Sequence, residues 1–300
     1  MSSFASLINT MPPSNNKNPL CSEVVLHNVL TFLPLDSVLN IIVTSTDSKS
    51  VALSSPYVCV GTELSPDCRR LCCVLKRFNH IAHLQVQNAE LLVKKSDFIS
   101  FAKEVPNIVQ LKLTKLRLNC KTGRSFVEAF RQRFSHLREL SLDGAMFLTD
   151  AVLKDMVKCL NGRTLISLSL IGCRTLKDNH VNDILSKCPA LDNLSLPDCT
   201  RLSTINLTHG NLKYLNLSKC TSITSFSAVR MPLVETILLP FCRNVNKVSV
   251  EKIVTYSPHL KYLNIGGCIN IKSLHLKNGK HLKTLSLGMC DKLTELRVES

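Results

Sequence analysis

Hydrophobic and polar positions alternate in one recurring arrangement, Leu-x-x-Leu-x-Leu-x-x-Cys. It is spelled LISLSLIGC from Leu165, LDNLSLPDC from Leu191, LKYLNLSKC from Leu212, LKYLNIGGC from Leu260 and LKTLSLGMC from Leu282. The first, fourth and sixth residues point one way and those between them the other, the period of a short strand. Strands starting at Ile81, Ile108, Leu137, Leu165, Leu191, Leu212, Val234, Leu260 and Leu282 follow at steps of 27, 29, 28, 26, 21, 22, 26 and 22 residues. One such unit cannot bury its apolar face alone, so its neighbours must stack on it, strand beside strand, around a shared core.

These are the periods of leucine-rich repeats. The predicted fold is therefore an α/β leucine-rich-repeat solenoid: a curved parallel sheet with a mixed helical and extended convex side, preceded by a small helical segment. Long steps leave room for a helical return. TDAVLKDMVKCLNG from Thr149 places Val152, Leu153, Met156 and Leu160 on one face, and KDNHVNDILSKCPA from Lys177 does the same with Val181, Ile184 and Leu185. Both begin with Thr, Asp or Asn residues suited to helix caps. Short steps have no such room, and extended segments are predicted at LSTINL (202), ITSF (223), IKSLHL (271) and LTELRV (293).

The ninth-position cysteines, Cys173, Cys199, Cys220, Cys242, Cys268 and Cys290, form a ladder with one thiol per turn. Ligands on successive turns, about 5 Å apart, do not converge four to a point as zinc requires. A small buried thiol with a weak S–H donor suits the tight turn after the strand, so the ladder reads as structural and no metal or cofactor is expected. The cysteine-terminated repeat, complete in CPALDNLSLPDCTRLS from Cys188, resembles the cysteine-containing leucine-rich repeats of F-box proteins.

Ahead of the repeats, Val25, Leu26, Val29, Leu30 and Leu33 recur at helical intervals, Pro34 interrupts, and Val38, Leu39, Ile42 and Val43 make a second helical face. EVVLHNVLTFLPLDSVLNI resembles an F-box core, with Glu23, Leu26, Val29, Leu33, Pro34, Val38, Leu39 and Ile41 in the acidic, apolar and proline places. Pro19-Leu20 stands where that family has Leu-Pro, and the closing Val-Cys-basic-x-Trp signature is replaced by Thr44 to Ser48. The expected organisation is a disordered segment at 1–18, an F-box-like segment at 19–60, a linking helix or cap at 61–80 and repeats at 81–300. The resemblance implies that Leu20, Val25, Leu26, Val29, Leu33, Pro34, Val38 and Leu39 dock on the Skp-type adaptor and cullin of an SCF ubiquitin ligase. A helical cap on the solenoid is the alternative reading of the same residues.

On that reading the concave sheet binds a target protein, through Arg138, Ser169, Asp192, Ser195, Lys213, Tyr214, Asn216, Lys261, Tyr262 and Asn264. The other classes are a scaffold without a ligase and a basic nucleic-acid binder. The net charge of +15 invites the last. Yet aromatics make up only 5% of the chain, which disfavours base stacking. Arg174, Arg201, Arg243 and Lys292, just after cysteines, are expected to line one rim. His209, His259, His275 and His281 fall between predicted strands. No Ser-His-Asp logic, Gly-rich phosphate loop or His-x-x-x-His pair is present, so no enzyme is expected.

There is no continuous apolar stretch of membrane-spanning length. With no export signal, the fourteen cysteines suggest reduced thiols in the cytoplasm or nucleus. The Asn-x-Ser/Thr sites at Asn193, Asn206 and Asn216 fall inside predicted strands, where a glycan would obstruct the sheet.

Overall fold

The computed structural model describes residues 57–60, 72, 75–76, 81–86, 95–114, 120–144, 148–159 and 164–299. It is a leucine-rich-repeat solenoid. The concave side is a ten-stranded parallel sheet of β1 (Tyr57–Val60), β2 (His83–Val86), β3 (Gln110–Thr114), β4 (Glu139–Asp143), β5 (Ser167–Ser169), β6 (Asn193–Ser195), β8 (Tyr214–Asn216), β10 (Thr236–Leu238), β11 (Tyr262–Asn264) and β13 (Thr284–Ser286). The fourth-position residues fall in register from rung to rung, Leu84, Leu111, Leu140, Leu168, Leu194, Leu215, Ile237, Leu263 and Leu285. Register is fixed this firmly because a one-residue slip would turn every buried leucine out to solvent.

The convex side follows the step lengths. Each long step carries a helix: α1 (Lys95–Glu104), α2 (Cys120–Arg133), α3 (Asp150–Cys159), α4 (Asp178–Lys187) and α5 (Lys247–Thr255). Each short step carries a strand, and these pair into two parallel ribbons, β7 (Thr204–Thr208) with β9 (Ser225–Arg230), and β12 (Ser273–Leu276) with β14 (Glu295–Val298). Helix and ribbon both return the chain over the same core, which runs the length of the solenoid.

Three local findings depart from the sequence-based expectation. First, β1 pairs with β2, so the sheet begins one rung before the repeat at Ile81. Its four residues lie at the end of the segment read as F-box-like. Second, Val157 joins Val152, Leu153 and Met156 on the buried face of α3, Leu160 lying outside the described residues, and His180 joins Val181, Ile184 and Leu185 on that of α4. Third, Asp178 does not cap α4. Its carboxylate accepts from the Ser203 N–H (2.8 Å), the Ser203 hydroxyl (2.6 Å) and the Thr204 N–H (3.0 Å), tying the helix to the next turn. The cap falls to Lys177, whose N–H donates to His180 Nδ1 at 3.1 Å. Thr149 does cap α3, accepting from the Val152 N–H at 3.4 Å.

Candidate protein-binding surface

Two columns of side chains run across the concave sheet on either side of the buried fourth-position ladder. One reads Gln85, Lys112, Ser141, Ser169, Ser195, Asn216, Leu238, Asn264 and Ser286. Its asparagines are occupied: Asn216 Oδ1 accepts from the Ser218 N–H at 2.9 Å and Asn264 Oδ1 from the Gly266 N–H at 2.9 Å, each holding the turn that follows its strand. The other column reads His83, Gln110, Glu139, Ser167, Asn193, Tyr214, Thr236, Tyr262 and Thr284, so the two half-buried tyrosines flank Thr236.

Beside them the second-position charges pair off between neighbouring turns. Lys213 Nζ lies 3.3 Å from Asp192 Oδ2, and Lys261 Nζ 2.8 Å from Glu235 Oε2. The Lys261 ammonium beside Glu235 holds that carboxyl below the usual range. Arg138 and Lys283 are exposed on the same margin. The structure thus gathers Ser169, Asp192, Ser195, Lys213, Tyr214, Asn216, Lys261, Tyr262 and Asn264 on one face, with Arg138 towards its N-terminal part. Sequence reasoning missed the relay His83 Nδ1 to Gln110 Oε1 (2.9 Å) and Gln110 Nε2 to Glu139 Oε2 (2.8 Å). All three occupy the column of the tyrosines, and carrying the register back to them would have found it.

On the core side of the turns, five of the six thiols of the ladder reach back one turn to the carbonyl of a sixth-position residue. Cys199 Sγ donates to Leu170 O (3.2 Å), Cys220 to Leu196 O (3.1 Å), Cys242 to Leu217 O (3.0 Å), Cys268 to Leu239 O (3.3 Å) and Cys290 to Ile265 O (3.2 Å). Cys173 meets Thr175 Oγ1 instead, at 3.7 Å. Burial raises the Cys220, Cys242 and Cys268 thiols each to about 12. It pushes Cys173 and Cys199 up as well.

The four basic residues after cysteines are all exposed, but they occupy two columns: Arg174 and Arg243 directly follow the cysteine, Arg201 and Lys292 lie one residue further on. Of the histidines placed between strands, His275 lies within β12, its Nε2 2.7 Å from Glu299 Oε1. His209 is buried, bonded through Nε2 to the Cys188 carbonyl at 3.0 Å. His259 and His281 are exposed and stack, with ring centroids 5.9 Å apart. Asn193, Asn206 and Asn216 lie in β6, β7 and β8. Leu20, Val25, Leu26, Val29, Leu33, Pro34, Val38 and Leu39 lie outside the described residues. Among those described, no helix is long and apolar enough to cross a membrane.

No protein-family model matches the chain, and no curated protein matches it. Solved structures do. A chain of the yeast Rad7–Elc1 complex aligns over 86% of this chain and 81% of its own length, at 16% identity and a TM-score of 0.50. The leucine-rich-repeat domain of the type III effector XCV3220 (XopL) aligns over 96% and 98%, at 13% identity and a TM-score of 0.35. At 16% identity the likeness to the Rad7–Elc1 chain is one of fold.

Proposed function

We propose that this protein is the substrate-recognition subunit of a cullin-RING ubiquitin ligase of the SCF type. The F-box-like segment ahead of β1 docks on a Skp-type adaptor, burying an apolar face in its groove, while the solenoid holds a target protein. The protein does no chemistry of its own. It raises the concentration of the target beside the ligase, in the cytoplasm or nucleus.

The observation that carries the receptor half of this reading is the make-up of the concave sheet. Two of its lysines are paired with carboxylates of the neighbouring turn, Lys213 with Asp192 and Lys261 with Glu235. Tyr214 and Tyr262 stand in its middle, residue types that anchor protein interfaces. A nucleic-acid groove calls for a continuous positive track. The ligase half rests on the F-box resemblance. It draws further support from the yeast Rad7–Elc1 complex, where a chain of similar fold was solved together with a second protein.

Titration of the full chain with a purified Skp-type adaptor by isothermal calorimetry tests the ligase half. Saturable one-to-one binding is expected, falling at least 100-fold when Leu26, Val29 and Leu33 are replaced by Asp. No heat from a chain with the far-UV dichroism of a folded solenoid would reduce residues 19–60 to a cap and leave a scaffold.

A further inference from the structure

At the eighth position of the repeat, just before the ninth-position residue, seven successive turns adopt the left-handed conformation: Gly144, Gly172, Asp198, Lys219, Phe241, Gly267 and Met289, with φ between 59° and 73°. Glycine meets that requirement without strain, and the three glycines show that the fold accepts it. A bulky side chain there is a genuine outlier, so Phe241 and Met289 carry a cost that glycine would remove. Neither is repaid by burial, since Phe241 is 38% and Met289 67% exposed.

The two sit two turns apart, on either side of the glycine turn at Gly266 and Gly267. The turns are joined by the Phe241 N–H to the Gly266 carbonyl (2.7 Å) and by the Gly267 N–H to the Gly288 carbonyl (2.8 Å). Phe241 and Met289 are therefore about 10 Å apart along the solenoid, two strand spacings. The Phe241 ring lies over Gly267, where an added Cβ would come within 2.6 Å of Cδ1, while nothing lies within 4 Å of a Cβ built on Gly288. The surface over Gly288, next to the Phe241 ring, is therefore open.

Charge distinguishes this rim from the concave face. Lys219, Arg243 and Lys292 are exposed there without an ion pair to any described carboxylate, whereas Lys213 and Lys261 on the sheet each have one. Asp198 and Asp291 are the acidic residues in the same turns. We propose that this rim docks an acidic segment of a partner protein, with an apolar side chain of that segment seated between Phe241 and Met289 and its carboxylates facing Lys219, Arg243 and Lys292. This deepens the receptor reading and rests on it.

Panning the full chain against a random 12-residue peptide library, then measuring the enriched peptides by fluorescence anisotropy, tests the proposal. Enriched peptides should set a Leu, Phe or Met among Asp and Glu residues. Phe241→Asn with Met289→Asn keeps side chains that tolerate a left-handed turn, and should weaken binding at least tenfold with a melting temperature no lower than the parent's. Arg243→Ser with Lys292→Ser should weaken it and flatten its salt dependence. Failure to enrich peptides, enrichment without acidic residues, or indifference to the Phe241 and Met289 changes would overturn the proposal. So would tighter competition by a 20-nucleotide oligothymidine than by the best peptide. Adaptor titration separates the two readings, because the rim variants should bind adaptor as the parent does: a parent chain that binds adaptor but no peptide counts against the rim alone, and one that binds peptide but no adaptor counts against the ligase alone.

Discussion

The carbonyl oxygen of Leu217 accepts two hydrogen bonds, from the Cys220 N–H of its own turn (3.2 Å) and from the Cys242 thiol of the next (3.0 Å). Leu239 and Ile265 repeat the arrangement with Cys268 and Cys290. The second lone pair of a fully buried carbonyl would otherwise be left without a donor, and a thiol fills the site with little polar surface of its own. Cys242→Ala should therefore lower stability by about 1–3 kcal/mol, from a lost donor and a small cavity, as read by urea denaturation. At pH 8, thiols raised to about 12 are ionised to roughly one part in ten thousand. Ellman's reagent should accordingly leave Cys220, Cys242 and Cys268 unmodified in the native chain and titrate them once urea unfolds it.

His180 makes a second prediction at this scale. Its ring is fully buried, Nδ1 accepts the Lys177 N–H, and Nε2 lies 3.3 Å from Asp150 Oδ1. Burial lowers its pKa below the ordinary 6.5, and the nearby Asp150 carboxylate offsets this only in part. The unfolded chain then binds the proton more readily than the native one. Stability is complete above the ordinary histidine value and is lost as pH falls below it towards the depressed native value. Melting temperature should drop from pH 7 to pH 5 more steeply in the parent than in His180→Gln, and equal slopes would count against this assignment.

Among the elements, step length decides the convex layer. A step of 26 residues or more accommodates α1 to α5, and a step of 21 or 22 leaves only a strand. That rule was legible in the sequence because the leucine spacing fixes both ends of every return, and the strand register follows from it. Less legible was how neighbouring turns are stitched together. Asp178 looks like a helix cap in the sequence, and only the approach of Ser203 and Thr204 across the turn shows why its carboxylate faces outward. Likewise the pairing of Lys261 with Glu235 joins residues 26 positions apart and depends on side-chain direction. Asp178→Ala should cost about 1–3 kcal/mol, since two backbone N–H groups lose a charged acceptor. Lys261→Ala, removing an exposed ion pair, should cost under about 1 kcal/mol by the same denaturation measurement. Gly267→Ala belongs at this scale too. With φ at 72° and Phe241 overhead, it should destabilise by more than about 1 kcal/mol, and by more than Gly172→Ala, whose left-handed turn has free space.

For the whole molecule, a solenoid spreads its surface along one axis, so adaptor docking at 19–60 and target capture on the sheet and its rim need not compete. The concave columns and the rim belong to the described solenoid, and both are built from residues that the repeat leaves free to vary. The cysteine ladder and the leucine ladder underneath are what hold those columns in register. On the proposed function, the chain joins an adaptor and a cullin in one assembly. The most direct test of this is the mass, by light scattering during gel filtration, of a stoichiometric mixture of the chain with a purified Skp-type adaptor and cullin. A single peak heavier than the adaptor–cullin complex by the 33.4 kDa of one chain is expected. Separate elution of a folded chain at its own mass would contradict it.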